Sequence, residues 1–163
     1  MNFHEGDPVM HWTYGFGKVI RLEERDLSGQ KTMYYAVQVG DLTVWVPADD
    51  MLMSRLRPPT PQAEFKKLFT ILSRPGDQLP VDRQARKSLL VEMLKDGRAE
   101  SLCTVIRNLT TYRHTHPLNY NDEALLKRAR NALLGEWGFA LSVTALEAEM
   151  ELHRLLAFVP AGD

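Results

Sequence analysis

His114 and His116 are separated by one residue, so their imidazoles could converge on a metal ion if the chain there is extended. A metal site needs about four ligands, and no Cys, Asp or Glu lies within five residues of this pair. A solvated loop is therefore the favoured interpretation.

Cys103 follows Leu102 and precedes Ile106 on one helical face, which predicts a buried, unreactive thiol, because a nucleophilic thiol needs an electropositive and partly open environment.

Two other short motifs could hold phosphate or a cation. The segment Gly15-Phe16-Gly17-Lys18 is superficially similar to a phosphate-binding loop, but it lacks the full spacing and precedes a strand, so it predicts a hairpin turn. Asp49-Asp50 could bind a hard cation or form an acid/base pair, yet the segment 51–55 that follows favours a capping role. The Ser, His and Asp residues do not form a known catalytic motif. The sequence also offers no set of polar residues that would converge in the pocket of a small hydrolase.

Two tryptophans invite separate interpretations. Trp45 alternates with Val44 and Val46 in a strand and therefore lies on the opposite face of the sheet. It is either an exposed residue beside arginines, suited to a protein contact, or it is covered by the C-terminal half of the chain. Trp137 lies between two glycines in a helical run, which predicts a core position.

The charges that could contact nucleic acid are unevenly distributed. The chain as a whole has a net charge of −1. Residues 59–130 hold 13 Lys and Arg against 8 Asp and Glu, whereas residues 1–58 and 131–163 are net acidic. A basic middle third could contact phosphates locally even in a neutral protein, although solvated helix faces would produce the same pattern.

The elements that must position these residues belong to an ordinary globular chain of 163 residues and 18.6 kDa. No apolar run approaches the ~20 residues of a membrane span, and the N-terminus lacks the pattern of a secretion signal. A soluble, cytoplasmic protein with no membrane association is expected. The single cysteine agrees with a reducing compartment.

Residues 5–57 have the pattern of β structure. Short runs rich in Val, Ile, Tyr and Trp are separated by glycine-containing turns, and Gly40-Asp41 between two such runs predicts a hairpin. Alternation in strand 18–25 places Ile20 and Leu22 on one face and Arg21 on the other. Four or five strands in about 50 residues predict a small, strongly bent antiparallel barrel.

The pattern changes at 57–61, where three prolines disfavour strands and helix interiors. We therefore predict an α+β protein with domains at 1–58 and 59–163, the second an all-α bundle of about five helices. Thr60 is predicted to cap the first helix, Asp82 to cap 83–96, and Thr144 with Glu147 to form a capping box. The other helices span 98–113 and about 122–140. Predicted apolar positions include Leu89, Leu90, Met93 and Leu94 in the second helix, and Leu146, Met150 and Leu155 in the last.

The N-terminal half closely resembles the RNA-polymerase-interacting module of the CarD/CdnL family, which is shared with the transcription-repair coupling factor. The resemblance covers residues 3–57 almost without gaps, and a looser one covers the helical half at 90–97 and 129–136. The matching residues of the first half are Phe3, Gly6-Asp7, Val9, His11, Tyr14-Gly15, Gly17, Val19, Glu23-Glu24-Arg25, Gly29, Tyr34-Tyr35, Val37, Gly40 to Val44, Val46-Pro47 and Leu56-Arg57.

The resemblance implies a non-enzymatic transcription regulator without a cofactor. Its Tudor-like barrel would bind the β subunit of RNA polymerase, and its helical domain would contact promoter DNA at the upstream edge of the melted bubble. Arg25 and Leu27 match the family's polymerase-contacting strand and turn, and Pro47 lies in the matching strand end. Trp45 stands where some members have an arginine that contacts the same subunit.

The helical half departs from the family pattern at one position. Well-known members have a tryptophan that wedges into the DNA minor groove, and an ungapped alignment places Arg83 there. Arginine suits a narrow, electronegative minor groove. We expect Arg83 to insert into the groove or lie along it, Arg86 and Lys87 to hold phosphates, and Arg128 to add a DNA contact. A solvated first turn with no DNA role is the other interpretation of Arg83. The expected protein is a monomer that binds DNA weakly without polymerase. The alternative is a module that binds polymerase, or another protein, and has lost direct DNA contact.

Overall fold

The computed structural model describes residues 3–157, except for the side chain of Leu27, and divides after Pro59 into two compact units. The first unit is a five-stranded antiparallel sheet, and the second contains five α-helices. This confirms the predicted α+β class. Within residues 3–157, no helix is both long and apolar enough to cross a bilayer.

The sheet of the first unit has the strand order β4-β3-β2-β1-β5. Its strands are β1 (Pro8–His11), β2 (Gly15–Leu27), β3 (Gln30–Val39), β4 (Leu42–Pro47) and β5 (Leu56–Arg57). Two-residue turns connect β2 to β3 and β3 to β4, and both contain backbone at positive φ, at Ser28-Gly29 and at Gly40. The predicted Gly40-Asp41 hairpin is therefore confirmed.

The glycine segment at 15–18 is not the turn that its sequence predicts. The turn consists of 12–14, and both Gly15 and Gly17 belong to β2. A Cβ atom on Gly17 would lie 2.5 Å from the Gln38 carbonyl oxygen of β3. Glycine is required here because the two strands approach too closely for a side chain.

The inner face of the sheet buries eight hydrophobic side chains, namely Phe3, Val9, Val19, Tyr35, Val37, Val46, Leu52 and Leu56. Leu22, predicted to face this core with Ile20, is exposed. A register shift between Val19 and Arg21 interrupts the alternation, and β2 continues with β3 as a ribbon beyond the core.

The second unit contains α1 (Phe65–Ser73), α2 (Arg83–Leu94), α3 (Ala99–Arg113), α4 (Tyr120–Leu141) and α5 (Ala145–Ala157). The Asp82 carboxylate accepts a hydrogen bond from the Ala85 N–H at 2.9 Å, as predicted for an N-cap. The Thr144 hydroxyl likewise accepts from the Glu147 N–H. Thr60 is not a cap, because its N–H and hydroxyl both donate to the buried carboxylate of Glu136 at 2.7 Å.

One continuous core joins all five helices, and it includes Trp137 and Cys103 as predicted. Three predicted core positions are wrong: Leu89, Leu146 and Met150 are exposed. In α5 the buried face consists of Ala148, Leu152, Leu155 and Leu156. Alanine is less hydrophobic than Leu or Met, so the sequence pattern favours Leu146 and Met150 over Ala148 as core positions. The predicted apolar face therefore lies on a different side of α5 from the buried one.

The C-terminal ends of α1 and α5 are held by one buried cation. The Arg107 guanidinium on α3 donates to the carbonyl oxygens of Leu72 and Leu156 at 3.3 and 2.9 Å. Burial lowers the pKa of Arg107. Carbonyl groups at helix C-termini carry partial negative charge, which compensates for the absence of a carboxylate partner of Arg107 among residues 3–157.

His11 organises the first turn of the β unit. Its Nδ1 accepts hydrogen bonds from the N–H groups of Thr13 and Tyr14, at 3.0 and 3.2 Å. The ring is buried and packs against Trp12 and Tyr14. This arrangement requires an unprotonated Nδ1, and burial lowers the pKa of His11 from its ordinary value of 6.5.

We predict that the β unit loses stability as the pH falls. The lowered pKa means that the unfolded chain takes up a proton at His11 before the folded chain does, so the folded state is favoured above pH 6.5 and loses stability below it. The steepest slope for one group is about 1.4 kcal/mol per pH unit. Urea unfolding followed through NMR resonances of Val19 and Val37 at pH 5 to 8 measures this.

The matched control is His11→Asn, whose amide oxygen can accept the same two hydrogen bonds without titrating. Its unfolding midpoint should change less with pH over this interval than that of the unsubstituted chain. Equal pH dependence in both proteins would show that His11 is not the group responsible.

Candidate functional site

Three of the four predicted polymerase-contacting residues lie on one face of the sheet. Arg21 pairs with Ala36 of β3, which pairs with Trp45 of β4, so the three side chains share that face. Arg25, four residues after Arg21, and Pro47, two after Trp45, lie on it as well. Leu27 ends β2, and its side chain is outside the described part of the structure.

The centre of this face is a tryptophan beneath two arginines. The guanidinium carbons of Arg25 and Arg21 lie 4.2 and 5.4 Å from the centroid of the Trp45 ring. The tryptophan is half-buried. Cation–π contact holds both cations against a flat ring while leaving N–H donors for an outside partner. We call Arg21, Arg25, Trp45 and Pro47 the arginine–tryptophan face.

Arg21 is a member of this face that the sequence analysis did not identify. Its Nε donates to the Glu23 carboxylate at 2.8 Å, across two residues of the same strand. The pattern of alternation contained the signal, because positions 21, 23 and 25 share one side of a strand. The face therefore presents two cations and one carboxylate.

The predicted DNA-contacting residues lie on or near the start of α2, with different surroundings. Arg83 and Lys87 are exposed and make no ion pair within the described residues. Val81, immediately before the cap residue, is also exposed. Arg128 lies on α4, half-buried and six residues beyond Asp122, or about 9 Å along the helix axis.

Arg86 does not fit the predicted role of a phosphate contact. Its side chain is 4% exposed and pairs with the 3% exposed Asp122, with Nη2 to Oδ2 and Nε to Oδ1 both at 2.9 Å. Nη1 donates to the carbonyl oxygens of Pro80 and Val81 and to the Tyr112 hydroxyl. The prediction is wrong because the guanidinium is committed to partners inside the helical unit.

These bonds make Arg86 the connection between three helices. Asp122 lies in the first turn of α4, where its carboxylate also accepts the Asn119 N–H at 3.0 Å as part of a capping box. Tyr112 lies near the end of α3, and its ring stacks on His116 at 4.5 Å. The hydrogen bonds to the Asp122 carboxylate raise the pKa of Arg86 above its ordinary value. We call Arg86, Asp122 and Tyr112 the helix clamp.

The remaining candidate motifs have local roles. Asp49 accepts the Met51 N–H at 2.9 Å and an Arg55 N–H at 2.6 Å, and both interactions, the first being the larger, hold its pKa below the ordinary value. Asp49 thus stabilises the turn before the short helix Leu52–Ser54, but the N-cap of that helix is Met51 without a side-chain cap bond, so neither aspartate is the cap that the sequence predicts. Among residues 3–157, no three His, Cys, Asp or Glu side chains are grouped to hold a metal ion.

Comparisons with known proteins match both units. Residues 3–59 match the family model described as the CarD-like/TRCF RID domain, and residues 67–153 match the model described as the C-terminal domain of CarD. A curated relative from Bacillus subtilis (strain 168) is named "Putative transcription factor YdeB". The two sequences are 24% identical over 136 residues, which cover 82% of this chain and 89% of the relative.

The helix clamp predicts an asymmetry between single and double substitutions. Arg86→Met leaves the Asp122 carboxylate buried without its cation and should lower the free energy of unfolding by about 3–5 kcal/mol. Adding Asp122→Asn removes the uncompensated charge while keeping an acceptor for the Asn119 N–H, so the double variant should regain much of the loss. Urea unfolding measures both.

The exposed pair Arg98 and Glu100 provides a control, since Arg98→Met should cost at most about 1 kcal/mol. A double variant no more stable than Arg86→Met would contradict the assignment of that loss to a buried, unpaired carboxylate.

Proposed function

The chain belongs to the CarD family of transcription regulators, and from that premise we propose that it stabilises the open promoter complex without catalysis. The β unit would bind the β subunit of RNA polymerase through the arginine–tryptophan face. The helical unit, acting as part of a monomer, would contact promoter DNA near the upstream edge of the bubble through Arg83 and Lys87, with Arg128 as a further contact.

The arginine–tryptophan face carries this proposal. Arg25, Trp45 and Pro47 were predicted as partner contacts from separate parts of the sequence, and they lie on one side of one sheet. Arginine and tryptophan are the residue types that dominate binding energy at protein interfaces. The ring orders the two guanidinium groups in advance, which reduces the entropy lost on binding.

Differential binding is sufficient for the proposed activity. A protein that binds the open complex more tightly than the closed one shifts the equilibrium by the ratio of its two affinities. Arg83 and Lys87 would supply that difference by contacting DNA whose shape changes when it melts. The β unit would hold them near the promoter, so weak DNA affinity is enough.

A second candidate function is a docking module that binds polymerase, or another protein, without touching DNA. The burial of Arg86 favours it, because one of the four predicted DNA contacts is unavailable. The net charge of −1 also favours it. The two functions differ in their salt dependence, since only phosphate contacts release condensed counterions.

We predict that Arg25→Glu abolishes capture of the isolated β-subunit lobe in a pull-down, because a carboxylate cannot stack on Trp45 and reverses the charge at the interface. Lys31→Glu is the matched control. It changes the same charge on the same β2–β3 ribbon, at a position that alternation places on the opposite face. Equal capture by both variants and the unsubstituted protein would exclude the arginine–tryptophan face as the binding surface.

We predict that the Arg83→Ala/Lys87→Ala double variant shortens the lifetime of open complexes and makes it less sensitive to salt. Each lost duplex phosphate contact should reduce the slope of log lifetime against log salt concentration by about 0.9. Lys66→Ala/Lys67→Ala on α1 removes two exposed positive charges elsewhere and should leave the slope unchanged. A slope that neither double variant alters would favour the docking module.

A further inference from the structure

We infer that Tyr120 stacks on a nucleobase exposed at the edge of melted DNA and so adds an aromatic contact to the proposed DNA-contacting surface. The inference rests on the proposed function and assigns a residue that the sequence analysis did not identify. It depends on the exposure of Tyr120, on the helix clamp, and on the charges that surround both.

Tyr120 is exposed to an unusual degree for a large aromatic side chain. It is 88% exposed, the highest value among the large apolar residues in the described part of the chain. It makes no hydrogen bond or ring contact within residues 3–157. As the first residue of α4 it projects beyond the helix end, because Cα–Cβ bonds tilt toward the helix N-terminus. Folding therefore leaves this aromatic ring at the surface.

The helix clamp brings the starts of α2 and α4 to the same end of the helical unit. Asp122 follows Tyr120 by two residues, and Arg86 follows Arg83 by three. The bidentate contact between Arg86 and Asp122, both bonds at 2.9 Å, therefore holds the N-terminal turns of α2 and α4 side by side. Arg86 also fixes the carbonyl oxygens of the two residues before the α2 cap.

The charge at this end of the bundle complements nucleic acid. Two helix N-termini lie together there, and each carries partial positive charge on its free N–H groups. Arg83 and Lys87 on α2 and Arg113 at the end of α3 add exposed cations. Of the nearby carboxylates, Asp122 pairs with Arg86, whereas Asp82, which caps α2, and Glu123, one turn along α4, are exposed and offset part of this positive charge.

An aromatic ring flanked by cations is the arrangement that binds unpaired bases. Base–aromatic stacking tolerates any sequence because every base has a π face, while the flanking cations hold the backbone. Duplex DNA offers such a face only where it is melted or kinked. Tyr120 would therefore contribute to the open complex and not to the closed one.

The test measures open-complex lifetime with the complete protein, its own RNA polymerase holoenzyme and a promoter. Tyr120→Ala should shorten the lifetime about fivefold or more without changing the slope against salt, since no phosphate contact is lost. Tyr120→Phe should remain within about twofold of the unsubstituted protein because stacking does not need the hydroxyl. Met150→Ala, an exposed side chain on α5, is the control and should have no effect.

The Arg83→Ala/Lys87→Ala double variant, measured in the same assay, separates the two possible failures. If Tyr120→Ala behaves like the unsubstituted protein while the double variant shortens the lifetime, the stacking assignment is overturned and the proposed function stands. If neither has any effect, DNA contact through this end of the bundle fails altogether. Equal losses in Tyr120→Ala and Tyr120→Phe would indicate a hydroxyl contact and overturn stacking.

Discussion

The buried ion pair between Arg86 and Asp122 determines the geometry of the helical unit where function is proposed. Each oxygen of the carboxylate accepts one guanidinium N–H at 2.9 Å, and the remaining guanidinium donors reach the chain before α2 and the end of α3. Neither partner could be buried alone, since an isolated ion in the core is very costly. The pair therefore fixes three helix ends relative to one another, and it brings exposed Arg83 and Tyr120 to one end of the bundle.

The β unit also holds arginine side chains in place, but it uses a cation–π contact where the helical unit uses a buried ion pair. There the ordering element is a tryptophan ring that holds Arg21 and Arg25 at the surface, so the cations are arranged without being desolvated. A guanidinium that keeps its N–H donors free can still bind a carboxylate or a carbonyl of a partner. Arg86 and Arg107 are thus used for structure in the helical unit, whereas the two arginines of the β unit serve recognition in the proposed function.

The sequence predicts the class of fold and most element ends, because turn glycines, prolines and caps act locally. Asp82 and Gly40 are examples, since each determines its turn through its own backbone or its nearest neighbours. The role of Arg86 was not predictable, because its partner Asp122 is 36 residues away and only the packing of α2 on α4 brings them together. In the sequence, Arg83, Arg86 and Lys87 are equivalent candidates for DNA contact. Only their burial in the folded structure distinguishes them. Tyr120 was missed because the predicted helix begins at about 122, which left this residue in the preceding loop, whereas α4 begins at Tyr120.

The central claim is that a polymerase-bound β unit raises the local concentration of a weakly DNA-binding helical unit. A protease site inserted between Pro58 and Pro59 tests it directly, because cleavage separates the units while each keeps its own core. The intact protein should lengthen the lifetime of open complexes, and the cleaved protein at the same nanomolar concentration should lose most of that effect, since a short linker supplies a local concentration of about millimolar. Undiminished activity of the cleaved protein, with both halves folded by circular dichroism, would contradict the account.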